Sequence, residues 1–461
     1  MNTTYFAFLS ALMRAIGDNV ATFFAGKSDF ISHFRIYQNT FETYATGFGP
    51  FGWTLYGFSL LLLVGLLLSL GLFVTYLIRR LPYSRKAVTV SAMAKGASQE
   101  VTPATRFPKL CALDDLFALN PPLPLIEEEN LSLEKICNDF REYCAHDWGL
   151  YYEIGLIRCF VSALASTKLL LLEGVSGTGK TSLPCRFADF IGGKADVVPV
   201  EPSWREKTEL LGYYNDFNHE YHHTPFLESL YHALYENGVH FIVLDEVNLS
   251  RIEYYFAEFL SVLELPEEDK RVIPLIGKVE SGDPKKFHDG SLPLGKNVYF
   301  IGTANHDEST FAITDKVYDR AMSLPFSPQR QTFEAEAKHP IYVSHAKMTD
   351  LFSQAREERP LQEDCMAKLE SLFAYLEKEI GLVVGNRIRA QMQRFLPVYQ
   401  ACGGSETEAI DSLLVSKVLR KFEGMGSSKI EKIPLILSQI EALFGKDALP
   451  MSIEFLQKRS N

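Results

Sequence analysis

No two cysteines in the 461 residues stand at CxxC spacing. None of the seven (Cys111, Cys137, Cys144, Cys159, Cys185, Cys365 and Cys402) lies beside a histidine in a metal-ligand pattern. That excludes a zinc ribbon, a thioredoxin-like pair and a disulfide framework, and an odd, scattered set suits a reducing compartment. Basic charge is short as well: 46 Lys and Arg against 57 Asp and Glu leave a net charge of −11. Bulk attraction therefore cannot hold a phosphate backbone, and direct nucleic-acid contact stays open only for a local basic groove. HExxH, a PD-(D/E)xK-like run and a Ser/His/Asp arrangement are all missing. Protease or nuclease chemistry would have to come from a partner. With 47% hydrophobic and 22% charged residues, the composition excludes a wholly disordered chain.

Charge disappears altogether between Glu42 and Arg79. Within that gap Trp53 to Ile78 is apolar on every helical face and, at about 1.5 Å per residue, spans roughly 39 Å, beyond the ~30 Å hydrocarbon core of a bilayer. The run predicts one transmembrane helix over 51–79, with Trp53, Tyr56, Tyr76 and Tyr83 as interfacial anchors. Arg79, Arg80, Arg85, Lys86 and Lys95 on its C-terminal side, against Lys27 and Arg35 before it, place the larger part in the cytoplasm of a single-pass cell-membrane protein. Residues 1–50 read as an extracytoplasmic or interfacial segment, and 80–129 as a juxtamembrane linker rich in Ala, Ser, Thr, Lys and Pro.

The chemistry-bearing residues begin at Leu169–Leu172. This short aliphatic strand leads into Gly174-Val-Ser-Gly-Thr-Gly-Lys-Thr181 and then a helix over Ser182 to Ile191. GxxxxGK[ST] between a strand and a helix is a phosphate loop. Backbone N–H groups of Gly174, Ser176, Gly177, Thr178, Gly179 and Ser182 would cradle phosphate oxygens. Lys180 would reach the β and γ phosphates, and the Thr181 hydroxyl would ligate Mg²⁺. A second apolar strand, Phe241–Leu244, ends in Asp245-Glu246. Asp245 would hold the same Mg²⁺, and Glu246 would act as general base on the attacking water. A third, Val298 onward, ends at Asn305, whose amide can orient that water.

In this order GVSGTGKT, LDEVNLS, IGTANHDESTFAITDKVYDRA and VVGNRIRAQMQRF resemble the AAA+ core, in the branch of McrB-like and MoxR-like ATPases, over roughly residues 130–425. The resemblance implies an α/β nucleotide-binding domain at 130–330 with a parallel sheet flanked by helices. An all-helical lid at 331–461 would follow, with the transmembrane helix ahead of both. It implies sensor-1 for Asn305, a finger acting on the neighbouring subunit for Arg320, and a sensor-2 role for Arg387, with Arg389 as rival. Asn248 matches the DE-x-N motif of MoxR-like proteins. It further implies a homo-oligomeric ring of six subunits that hydrolyses ATP with Mg²⁺, GTP being the alternative. Such a ring would drive remodelling or translocation of a partner as the motor of a defence system with a separate effector. The alternatives are a MoxR-like chaperone and a non-motor nucleotide switch or scaffold. Where McrB-type proteins carry Asn-Thr-Ala-Asp, this chain reads Thr303-Ala-Asn305-His306-Asp307, which leaves the base identity open.

Two other clusters have bland readings of at least equal weight. Trp204, Tyr213 and Tyr214 could grip a substrate or simply pack a helix on the sheet. His219, His222 and His223 with Glu220 could bind a metal or form a solvated loop. Ser405 and Glu408 form a capping box, opening a helix with Leu413, Leu414, Val418, Leu419 and Phe422 on one face and Gly424 at its end.

Overall fold

The computed structural model describes residues 7–8, 10–11, 43–47, 50, 53–54, 105–122, 130–305, 310–326, 332–424 and 427–460. The chain divides into two units, Met1–Ser98 and Gln99–Asn461. In the first, the described residues include short helical pieces, with the Phe8 and Tyr44 ring centroids 6.3 Å apart.

The expected membrane anchor needs correction, and with it the single-pass membrane localisation. Among the described residues no helix is long and apolar enough to cross a membrane. Apart from Trp53 and Thr54, the apolar run itself lies outside the described residues, as do Tyr76, Tyr83 and the basic residues that suggested an orientation. The fold that stands is an α/β core with C-terminal helices.

The second unit starts with α1 (Pro108–Leu119), inside the stretch read as linker. Its sequence, PKLCALDDLFAL, is mostly apolar and anchors one face. Phe107 and Leu110 are fully buried, and Asp114 accepts hydrogen bonds from the hydroxyls of Tyr231 (2.5 Å) and Tyr235. Then follow α2 (Leu133–Trp148), α3 (Ile154–Ser166), β1 (Leu169–Gly174), α4 (Ser182–Ile191), β2 (Lys194–Pro199) and α5 (Thr208–Leu211). A hairpin of β3 (Gly212–Asn215) and β4 (Glu220–His223) leads to α6 (Pro225–Ala233) and β5 (His240–Asp245). Beyond these lie α7 (Ile252–Tyr255), α8 (Ala257–Val262), β6 (Val272–Pro274), β7 (Ser291–Pro293), β8 (Val298–Ala304), α9 (Asp315–Tyr318) and β9 (Met322–Phe326).

The main sheet has the order β2-β5-β8-β1-β9, all parallel. Its central strands are buried on both faces, which is why they read as continuous apolar runs. Alternate residues feed two cores. Leu170, Leu172, Phe241, Val243 and Ile301 face one, and Leu169, Leu171, Ile242, Leu244 and Phe300 face the other. Pro325 lies within β9 opposite Glu173. A proline is tolerated there because β9 is an edge strand with one side free of ladder bonds.

The C-terminal part is helical: α10 (His345–Glu358), α11 (Glu363–Ile380), α12 (Asn386–Ala401), α13 (Glu406–Leu413), α14 (Ser427–Ile430), α15 (Ile433–Phe444) and α16 (Pro450–Ser460). The Ser405–Glu408 capping box is present, with reciprocal bonds of 3.0 and 3.1 Å. The helix it opens does not run on regularly. A π turn over Leu414–Val418 follows α13, and a 3₁₀ stretch over Leu419–Gly424 follows the turn.

Two half-buried histidines predict an acid-sensitive fold. Burial, then Lys168 and Lys296, push His345 down to about 4. Burial, then Lys109 and His222, do the same to His223. Each folded value lies below the ordinary 6.5, so the unfolded chain binds the proton first. The stability these groups contribute is complete above pH 6.5 and is lost as pH falls from there towards 4. Glu236 acts in the same direction at lower pH: burial opposes its charge, but hydrogen bonds from His232 and His240 hold it down to about 2. Thermal melts should therefore fall between pH 6.5 and 4. His345→Gln should flatten that slope by about 1 kcal/mol, or roughly 2–4 °C. Parallel melting curves for the variant and the wild type would sink the assignment.

Candidate nucleotide site

The phosphate loop connects β1 to α4, as the strand–loop–helix pattern requires. Gly177 (φ +79°) and Gly179 (φ +91°) hold conformations that side chains resist. At Gly179 an added Cβ would also lie 3.0 Å from the Tyr152 hydroxyl, which donates to the Gly179 carbonyl at 2.9 Å. The Lys180 ammonium folds back across the loop, donating to the carbonyls of Gly174 (2.9 Å) and Val175 (2.7 Å). The Thr178 hydroxyl closes the turn onto Val175 O at 2.9 Å. Ser176 and Gly177 are exposed, and Ser182 opens α4.

Three parallel strands end against this loop and bring the acidic residues to it. Asp245 Oδ1 accepts from the Thr181 hydroxyl and from the Thr303 hydroxyl, both at 2.7 Å. Thr303 also accepts from the Glu246 N–H (2.9 Å). That bond helps hold Glu246 in a left-handed conformation (φ +58°, ψ +51°), an uncommon state for a residue with a long side chain. The Asn305 amide donates to Glu246 Oε1 at 3.0 Å. Asn248 then braces Asn305, donating to its carbonyl at 2.7 Å and accepting from its N–H at 3.4 Å. His306 and Asp307 lie outside the described residues.

These residues fit a magnesium–nucleotide pair. A hydroxyl and a carboxylate already within bonding distance of each other are a hard oxygen donor pair of the kind Mg²⁺ takes beside phosphate. The loop supplies a glycine-rich N–H cradle at a helix N-terminus. Glu246 stands apart from the donor pair, turned to Asn305, where a base and its orienting amide belong.

The two arginines meet elsewhere. Arg320 is largely buried and donates from Nε to Leu260 O (3.2 Å) and from Nη1 to Lys316 O (2.6 Å), while Nη2 pairs with Glu264. Arg387, in the first turn of α12, pairs with the same Glu264 oxygen at 2.7 Å. Among the described residues neither is bonded to residues 174–181. Arg389 is engaged within the helical part, bidentate on Glu370 (2.6 and 2.8 Å).

Sequence reasoning missed Thr303, Tyr152 and Glu264, whose roles come from neighbours distant in the chain. The aromatic trio separates: Trp204 is buried edge-on to Tyr255 (centroids 5.4 Å apart), whereas Tyr213 is exposed on the hairpin. The histidines at 219, 222 and 223 do not gather into a ligand set among the described residues. A different group does: His232, Glu236 and His240. Burial works against charge on His240, but hydrogen bonds with Asp196 (3.0 Å) and Glu236 (3.2 Å) raise its pKa. Its buried ring lies between two carboxylates.

Residues 169–321 match the AAA domain family (dynein-related subfamily), and residues 340–460 match a domain family of unknown function (DUF8727). A search of curated proteins finds no match. A solved Cytophaga hutchinsonii structure, described provisionally as an ATPase, is 14% identical, with a TM-score of 0.43. The similarity covers 72% of this chain and 96% of that one. The AAA domain match coincides with the phosphate loop, the acidic pair and the Asn305 strand. The chain is an ATPase with an AAA-type nucleotide-binding core.

Proposed function

We propose that this ATPase works as a ring-forming motor, with the nucleotide-binding domain spanning 130–330 and a helical lid at 331–461. In this reading Thr181 and Asp245 hold Mg²⁺, which draws charge from the phosphates. Lys180 and the N–H groups of residues 174–182 bind those phosphates. Glu246 takes the proton of the attacking water, which Asn305 orients. The observation that carries it is the pair of separate acidic environments at the end of β5: Asp245 bonded to the phosphate-loop hydroxyl, and Glu246 bonded to Asn305.

The substrate reading rests on the resemblance of the motifs: an McrB-like motor serving a separately encoded effector. Asn248 favours the second reading, a MoxR-like chaperone, because this DE-x-N asparagine braces the Asn305 backbone. One assay addresses both. The purified full chain is given Mg²⁺ with ATP or GTP, alone, with duplex DNA, or with an unfolded polypeptide. Turnover should be Mg²⁺-dependent and faster with ATP. DNA stimulation with an effector present supports the first reading, and polypeptide stimulation the second. No turnover of either nucleotide under any condition would leave a nucleotide switch and remove the motor.

A further inference from the structure

Glu173 occupies an unusual position. It is the residue before Gly174, at the root of the phosphate loop, and its side chain is almost completely buried (3% exposed). A carboxylate there needs strong partners, and it has three. Tyr318 OH donates to Oε1 at 2.8 Å, Ser323 Oγ donates to Oε2 at 3.1 Å, and Arg420 Nη1 forms an ion pair with Oε2. The same guanidinium donates to Ser323 Oγ (2.6 Å) and to Tyr318 OH, and lies 3.5 Å over the Tyr318 ring.

Arg420 comes from the 3₁₀ stretch that follows the π turn, and it does not act alone. Lys417, buried within the π turn, donates to the carbonyls of Tyr318 (3.0 Å) and Ala321. Lys421 pairs with Asp319 at 3.1 Å. Three basic side chains of one short segment thus engage residues 318, 319 and 321, on either side of Arg320, while Arg320 itself is held by Glu264. Residues three and four apart share a helical face. π turns within helices are frequent at functional sites.

A stabilising role alone explains this poorly, because an apolar cluster would serve stability as well as a buried ion pair. We propose that Arg420 is a positioning residue for hydrolysis, fixing through Glu173 and Tyr318 the placement of the phosphate-loop root relative to the turn that carries Arg320. This rests on the reading of the loop and Glu246 as the hydrolytic site. Movement of the C-terminal helices would then be felt at the loop through this bridge.

The test uses the full chain with Arg420→Lys, Arg420→Met, Glu173→Gln and the double variant Glu173→Gln/Arg420→Met, measuring nucleotide Kd, kcat, KM and Tm. Lysine keeps the charge but cannot fork between Glu173, Ser323 and Tyr318. Arg420→Lys should keep Tm and Kd near wild type and lose kcat by roughly 10–100-fold, the scale expected when a reacting group is misplaced by about 1 Å. Arg420→Met should also lose stability, because Glu173 is left buried without its ion-pair partner. In the double variant Tm should recover and kcat should stay low. If kcat returns together with Tm in the double variant, or if folded Arg420→Lys turns over at the wild-type rate, the bridge is only structural and the proposal falls. A loss confined to KM would overturn it too. Glu246→Gln is run alongside: wild-type turnover there would sink the hydrolytic-site reading itself, independently of Arg420.

Discussion

Glu246→Gln should bind magnesium–nucleotide as tightly as wild type and hydrolyse it about 100-fold more slowly or worse, the usual cost of losing a general base. The change is nearly isosteric, so the Glu246 N–H bond to Thr303 and the contact with the Asn305 amide can both persist. What disappears is the ability to take a proton. Lys180→Ala should fail differently. Its ammonium donates to the Gly174 and Val175 carbonyls, so the substitution removes a phosphate ligand and also an internal brace of the loop. Binding itself should weaken, visible as a raised Kd before any loss of turnover is considered. Equilibrium titration with a fluorescent nucleotide, paired with single-turnover hydrolysis, separates the two. Wild-type single-turnover rates in Glu246→Gln would show that another group is the base.

The parts of this site that could be read from sequence are those whose signal is local. β1, β5 and β8 announce themselves as apolar runs because both faces of the central strands are buried. The phosphate loop is visible because its glycines and Lys180 meet within one turn of chain. The Ser405 cap is visible for the same reason. What escaped depends on tertiary contact. Lys417, Arg420 and Lys421 look like the solvated face of an ordinary helix, yet the π turn and the 3₁₀ stretch after it carry them against residues 318–323. Glu173 reads as the polar end of a strand until Tyr318, Ser323 and Arg420 are seen to close over it. Glu264 has no motif at all, although it gathers Arg320 and Arg387. Residues 108–119, inside the stretch read as linker, form a helix anchored by Phe107, Leu110 and Asp114. Among the described residues the hairpin histidines do not gather into a ligand set, as their solvated-loop alternative has it.

Arg320 should complete the site of a neighbouring subunit rather than its own. Within the described residues of its own chain, its guanidinium bonds to Glu264, Leu260 O and Lys316 O, and to nothing in the phosphate loop. A cation delivered from outside to the terminal phosphate would stabilise charge in the transition state, an effect of about 10³–10⁵ in rate. Arg320→Ala should therefore lose most of its turnover while keeping nucleotide affinity, since its own loop is untouched. Specific activity of the wild type should rise with protein concentration, because lone subunits lack the donated arginine. The decisive experiment mixes two inactive chains. Arg320→Ala lacks the finger but keeps the phosphate cradle, and Lys180→Ala lacks the cradle but keeps the finger. In a mixed assembly some interfaces pair an intact loop with an intact Arg320, so activity should reappear. Co-assembly by size with no activity above either parent would show that Arg320 does not act in trans. Full turnover in a strictly monomeric preparation would take the ring out of the mechanism and leave Arg320 as a brace for Glu264.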